Sequence, residues 1–194
     1  MRHTLMLGVS ALAMTFAASA AADPPNLKGS YGFTGSQGCL NSLLGFTPTL
    51  QVIDGGGFSD SGLVQGIRVF NGDGTGTVTG SSTAITVPPT PGFQPGASSN
   101  NFSFSFTYTI NPDDTWTSND VPGTHIGTML TGARAGQTFL RENDPPITGL
   151  ISNDGKTLTS AILTPGVEII RFSNGDVRQR ICHRSRVYIK LDDE

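Results

Sequence analysis

From residue 101 onward, clusters of turn-forming residues recur about every ten positions: Asn111-Pro112-Asp113-Asp114, Asp120-Val121-Pro122-Gly123, Gly132-Ala133-Arg134-Ala135-Gly136, Asn143-Asp144-Pro145-Pro146, Asn153-Asp154-Gly155, Pro165-Gly166 and Ser173-Asn174-Gly175-Asp176. Strands of roughly six to nine residues fit between such marks, and longer elements do not. Evenly spaced short runs between Gly, Pro, Asn and Asp predict an all-β fold: an antiparallel up-and-down β-barrel of about 8–12 strands in meander topology. A slower period lies on top of this one. Turns at Asp54, Asp73, Asp113, Asp154 and Gly175, with a Pro-rich loop near Phe93 and the Gly132–Gly136 turn in the gaps, recur about every 20 residues, one hairpin per repeat.

The clearest strand is Phe102-Ser103-Phe104-Ser105-Phe106-Thr107-Tyr108-Thr109-Ile110, with an apolar residue at every even position. Period-two alternation places those five side chains on one face, the interior of a barrel. Further strands are expected at Tyr31–Thr34, Leu63–Phe70 and Gly76–Val87. Ser36–Pro48, carrying Cys39, Leu43, Leu44 and Phe46, reads as an apolar excursion capping one end as a bent helix or Ω-type loop. Pro88–Gly96, with four prolines, cannot be a central strand and is a candidate lid.

Residues 1–22 have the parts of a secretory signal: Arg2, an apolar stretch from Leu5 to Phe16, and a small-residue end from Ala17 to Ala22. The apolar stretch is shorter than the roughly 20 residues of a spanning helix, so no transmembrane anchor is expected after cleavage. The expectation is a single domain over 23–194 in a secreted or periplasmic protein. Cleavage would leave 11 basic residues against 15 acidic ones, which disfavours nucleic acid as a partner. Charged residues are sparse while Ser, Thr, Gly and Asn abound, which suits a sheet with a hydroxyl-rich outer face.

Cys39 and Cys182, near the two ends of the exported chain, are expected to form a disulfide. Bridged cysteines need backbones within about 7 Å, so the first and last strands would be neighbours in a closed sheet.

Few motifs carry chemistry. Asn71-Gly72-Asp73-Gly74-Thr75 and Asn153-Asp154-Gly155 have calcium-like composition but lack a full ligand set, and read as hairpin turns; neither a metal nor a cofactor is expected. His125 and His183 are the only histidines after the signal. His183 shares parity with Ile181, Val187 and Ile189, and is placed on the apolar, inward face of the last strand. Arg178, Arg180, Arg184, Arg186 and Lys190 form a basic stripe sharing a face with Cys182 and Tyr188, read first as a solvated outer face and second as an anion-binding patch. Glu142 and Glu168 each have an arginine close by, Arg141 and Arg171, and read as surface pairs; burial of either would raise its pKa and fit it for acid–base work.

The segment Asn26-Leu27-Lys28-Gly29-Ser30-Tyr31 resembles the opening of a lipocalin-type barrel, in which a Gly-x-aromatic motif begins the first strand and an arginine of the last strand covers it. Gly29 and Tyr31 match, and the resemblance implies that Arg184 or Arg186 supplies the guanidinium; the family's usual Trp is replaced by Tyr31. The chain is also similar to small secreted bacterial β-barrels with allene-oxide-cyclase-like architecture.

Three functions are compatible with this sequence. The first is interior binding of a small apolar or amphipathic ligand by Tyr31, Phe102, Phe104, Phe106, Tyr108 and His183. The second is a cofactor-free lipid isomerase or cyclase using Glu142 or Glu168. The third is a surface-interaction protein, an inhibitor or adhesin, using the basic last strand.

Overall fold

The computed structural model of the protein describes residues 27–53, 57–87 and 96–191. Eleven strands make one antiparallel sheet: β1 (Lys28–Ser42), β2 (Gly57–Asn71), β3 (Thr75–Val87), β4 (Gly96–Ile110), β5 (Thr115–Asp120), β6 (Ile126–Met129), β7 (Thr138–Glu142), β8 (Ile147–Leu150), β9 (Thr157–Ala161), β10 (Val167–Phe172) and β11 (Val177–Lys190). Pairing of β1 with β11 closes the sheet into a barrel-like ring. The signal expected at 1–22, the turn at Asp54 and residues 88–95 of the Pro-rich loop lie outside the described residues.

The eleven strands occupy eight staves. Strand β4 pairs with β5 through Phe106–Ile110 and with β6 through Asn100–Ser103, so β5 and β6 are two halves of one stave. Strand β11 likewise pairs with β10 through Val177–Ile181 and with β9 through Ser185–Ile189. Between them β7 pairs with β6 and β10, while β8 pairs with β5 and β9. Three adjacent staves are therefore interrupted partway, at 121–125, 143–146 and 162–166. Each break contains proline, Pro122, Pro145-Pro146 or Pro165, which has no N–H for the ladder.

This resolves the sequence rhythm. The marks at Asp73, Asp113, Gly132–Gly136, Asp154 and Gly175 are hairpins between staves. Those at Asp120–Gly123, Asn143–Pro146 and Pro165–Gly166 are breaks within a stave, through which the chain continues in the same direction. Ten-residue spacing is hairpin alternating with break.

The expected excursion at Ser36–Pro48 begins later than its composition suggested. Strand β1 runs without interruption to Ser42, through Gly35 and Gly38, in full register with β2 and β11. Those glycines sit inside a ladder rather than in a turn. The excursion starts beyond Ser42, whose hydroxyl accepts from the Gly45 amide at 2.9 Å, with Gly45 at φ +98°. Cys39 and Cys182 are directly opposed and disulfide-bonded, with Cα atoms 4.1 Å apart.

The interior divides along the staves. At the end carrying the turns after β2, β4 and β8, it is a solid aromatic plug of Leu27, Tyr31, Phe70, Phe106, Tyr108, Trp116, Leu158 and Tyr188, all buried. Phe70 meets Tyr31, Phe106, Tyr108 and Trp116 edge-on at centroid separations of 5.0–5.8 Å, the arrangement that ring quadrupoles favour. Each polar handle is satisfied: the Tyr31 and Tyr108 hydroxyls donate to the Gly155 and Leu27 carbonyls at 2.7 Å, and Trp116 Nε1 donates to the Thr159 carbonyl at 3.0 Å. Room for the rings comes from inward glycines; a Cβ on Gly76 would stand 2.3 Å from Phe106 Cζ. The outer face of β3 is exposed at Thr75, Thr77, Thr79, Ser81 and Thr83, the hydroxyl-rich surface that the composition suggests.

Candidate binding cavity

The three stave breaks deliver charge to the interior at one level. Asp120 and His125 flank the first break, Asp144 lies in the second, and Glu168 follows the third. They meet Arg141 of β7 and Arg180 and Arg184 of β11. His125 Nδ1 lies 2.8 Å from Asp120 Oδ2 and 3.7 Å from Asp144 Oδ2. Arg141 Nε lies 2.6 Å from Asp144 Oδ1, and its Nη2 lies 3.4 Å from Asp120. Glu168, fully buried, takes Nε of Arg180 at 2.8 Å and both terminal nitrogens of Arg184, Nη2 at 2.6 Å. A bidentate Arg–carboxylate pair of this kind is among the stronger hydrogen-bonded contacts.

These contacts set the protonation states. Burial alone would raise the Glu168 carboxyl, but Arg184, Arg180 and Arg141 together hold it well below the usual carboxylate range. Burial, aided by the Arg141 cation, pushes His125 well below its ordinary value, so the ring is neutral and donates from Nδ1 to Asp120. Burial raises Asp144, with Glu168 and Asp120 adding to it against the pull of Arg141. The side-chain ligand atoms of Asp120, His125 and Asp144 lie within 4.8 Å of one another, close enough for a metal. Arg141 already sits against both carboxylates, and the arrangement is that of an ion-paired belt.

Beyond the belt, away from the plug, the described residues leave the interior unfilled. A cavity of about 520 Å³ is walled by Phe58, Phe102, Phe139, Ile170 and Phe172, with Ser82, Asn100 and Arg178, Arg180 and Arg186 of β11 at polar positions. Its size falls within the roughly 300–1,000 Å³ of small-molecule sites. Asn100 Nδ2 donates to Ser82 Oγ at 2.8 Å across β3 and β4.

The ring stripe of β4 is divided between the two halves. Phe102 lines the cavity. Phe104 supports the belt, stacked on His125 at 4.4 Å. Phe106, Tyr108 and Tyr31 belong to the plug and do not line the cavity. His183 is corrected outright: it faces outward and covers Gly38 on the outer surface, because the apolar face of β11 is the outer one, with Val187 and Ile189 exposed.

The basic stripe is inverted in the same way. Arg184 and Arg186 are buried and Arg178 and Arg180 half-buried, all pointing inward with Cys182 and Tyr188. The disulfide and the Tyr188 contact with the plug fix that face as interior, so the stripe is no solvated outer face. Glu168 is interior rather than surface-paired, and its pKa moves down, opposite to what acid–base work on burial would need. Glu142 does pair at the surface, with Arg171 at 2.9 Å. Tyr31 is covered by Phe70 rather than by an arginine; Arg186 lies over Phe33 at 5.4 Å instead. The residues that sequence reasoning passed over are Asp120, Asp144 and Arg68, of which the first two were masked by their place in turn clusters.

No protein-family model matches this chain, and no curated protein sequence matches it. What the structure shows is an all-β antiparallel sheet closed in a barrel-like ring, and neither a lipocalin nor a cyclase is identified by it.

Proposed function

We propose that this is an exported ligand carrier that encloses one small amphipathic molecule in the open half of its barrel. The observation that carries the reading is the asymmetry of the interior: a packed aromatic plug on one side of the charged belt and a cavity of about 520 Å³ with aromatic walls on the other. A fold that needed only stability would gain from filling that space, since buried apolar surface stabilises by about 25 cal/mol per Å². The interstrand disulfide is compatible with an extracellular or periplasmic setting. The Glu168 pKa direction and the inward-facing basic stripe disfavour the acid–base and surface-adhesion readings.

The test is titration with the neutral fluorophore N-phenyl-1-naphthylamine. Saturable one-to-one binding is expected, lost in Ala84→Trp, which places an indole in the cavity from the inward face of β3. Absence of saturable binding, or binding undiminished by Ala84→Trp in a protein that keeps its β-sheet circular dichroism, would overturn the reading.

A further inference from the structure

Not every interior charge is compensated. Six arginines point inward, Arg68, Arg141, Arg178, Arg180, Arg184 and Arg186, against four carboxylates, Asp60, Asp120, Asp144 and Glu168. Asp120, Asp144 and Glu168 are taken up by Arg141, Arg180 and Arg184. Asp60 lies towards the open end and accepts from Asn41 at 2.9 Å. Among the described residues, Arg68, Arg178 and Arg186 have no carboxylate within 4.0 Å.

The three differ in what surrounds them. Arg68 is sealed in the plug, flat over Phe106 at 3.6 Å with its terminal nitrogen on Ser118, and the cavity does not reach it. Arg178 sits between Phe58 and Phe172 at 5.3 and 5.6 Å, where Asp60 lies close enough to oppose the lowering of its pKa. Arg186 lines the cavity, is more than nine-tenths buried, and its Nε has no partner. The sheet register places Arg186 level with Gly35, Val64, Ser82 and Asn100 across β11, β1, β2, β3 and β4. That row holds a guanidinium whose Nε is unpartnered among the described residues, together with a hydroxyl and an amide, and Gly35 contributes no side chain beneath it. Burial pushes the Tyr188 phenol up, yet the Arg186 and Arg68 cations and hydrogen bonding to Ser160 and Arg186 draw it below its ordinary value.

We infer that the carried ligand is an organic anion, a carboxylate or phosphate headgroup on an apolar body, bound headgroup inward with its oxyanion on Arg186 and its body against Phe102, Phe139 and Phe172. A planar guanidinium with an unpartnered Nε donor matches either oxyanion, and burial strengthens the charged hydrogen bond. Ser82 and Asn100, three and four strands away around the ring, are further polar groups lining the same cavity. This inference rests on the carrier reading of the cavity and adds the chemistry of the ligand.

The experiment is displacement of N-phenyl-1-naphthylamine by decanoate, decyl phosphate and decanol, on the wild-type protein, Arg186→Gln and Arg178→Gln. Wild type is expected to favour at least one of the two anions over decanol by about tenfold or more. The anion that wins identifies the headgroup as planar or tetrahedral. Arg186→Gln should abolish the preference while decanol binds as before, which shows that the cavity survives the substitution. Equal binding of decanol and both anions by wild type would overturn the inference and leave the carrier reading standing. So would a preference that persists in Arg186→Gln, or one lost only in Arg178→Gln. Failure of the neutral fluorophore to bind at all would remove the carrier reading itself.

Discussion

Glu168 is the single anion between two arginines in the belt, and Glu168→Gln tests whether that belt is an ion-paired structure. Gln keeps the shape and can still accept one hydrogen bond, but it leaves Arg180 and Arg184 facing a neutral amide in the interior. Removing one partner of a buried pair costs about 3–5 kcal/mol, against a total of about 5–15 kcal/mol for a domain. With a urea m-value of about 2 kcal/mol/M, the midpoint should fall by about 2 M. Trp116, the sole tryptophan and fully buried in the plug, reports the transition by fluorescence.

The pH dependence gives a second reading of the same pair. A carboxyl held below its unfolded value of 4.5 contributes stability that is complete above that pH and is lost as pH falls. The gap between wild type and Glu168→Gln should therefore be constant from pH 7 to about 5.5 and close by about 1.4 kcal/mol per unit below about pH 4.5. Buried Asp144, raised rather than lowered, titrates in the opposite sense in wild type, and Glu168→Gln removes one of the charges that raise it. A gap under about 1 kcal/mol at pH 7, or one that does not change down to pH 3.5, would refute the argued charge balance.

Three other outcomes follow from particular contacts. His125 is lowered well below 6.5, so its stabilising contribution is present above that pH and lost below it; thermal melts of His125→Gln should be flatter than wild type between pH 6.5 and 5.5, and parallel melts would contradict this. Replacing both Cys39 and Cys182 by Ser opens a closed loop with a sequence separation of 143 residues; urea unfolding should show a loss of up to about 5 kcal/mol, and an unchanged midpoint would mean the bridge adds nothing to a closed ladder. Gly76→Ala drives a methyl to 2.2 Å from the Val69 carbonyl and 2.3 Å from Phe106 and should cost about 2–3 kcal/mol, whereas Gly96→Ala, with nothing within 4 Å among the described residues, should stay within about 0.5 kcal/mol in the same assay.

Much of the fold was legible because its causes are local. Asp-Gly and Asn-Gly turns demand positive φ, and the alternation of Phe102 to Ile110 assigns faces without reference to the rest of the chain. The cysteines added the one long-range constraint, and it closes the ring. Alternation separates two faces but does not say which is inner. For β11 the Ile/Val face looked like the core and the arginine face like surface, yet the carboxylates that pair with Arg180 and Arg184 are held on β10 and in the second stave break, on other staves of the ring. The clue was Cys182 and Tyr188 on the arginine face, since an interstrand disulfide and a tyrosine inside a closed ring draw their neighbours of like parity inward. Proline had a comparable double meaning. At Pro122, Pro145 and Pro165 it ends a ladder without reversing the chain, and only the pairing of β5 and β6 to the same strand separates a break from a hairpin. Asp120, Asp144 and Glu168 acquire their role because three such breaks fall on adjacent staves at one level.

The described residues pack the barrel solid on one side of a charged belt and leave it hollow on the other. A crystal structure of the protein grown with N-phenyl-1-naphthylamine tests it directly. Ligand density is expected between Phe102, Phe139 and Phe172, with the plug around Phe70 and Trp116 unchanged; those three rings collapsed into the space, or the fluorophore held only on the outer surface, would contradict it.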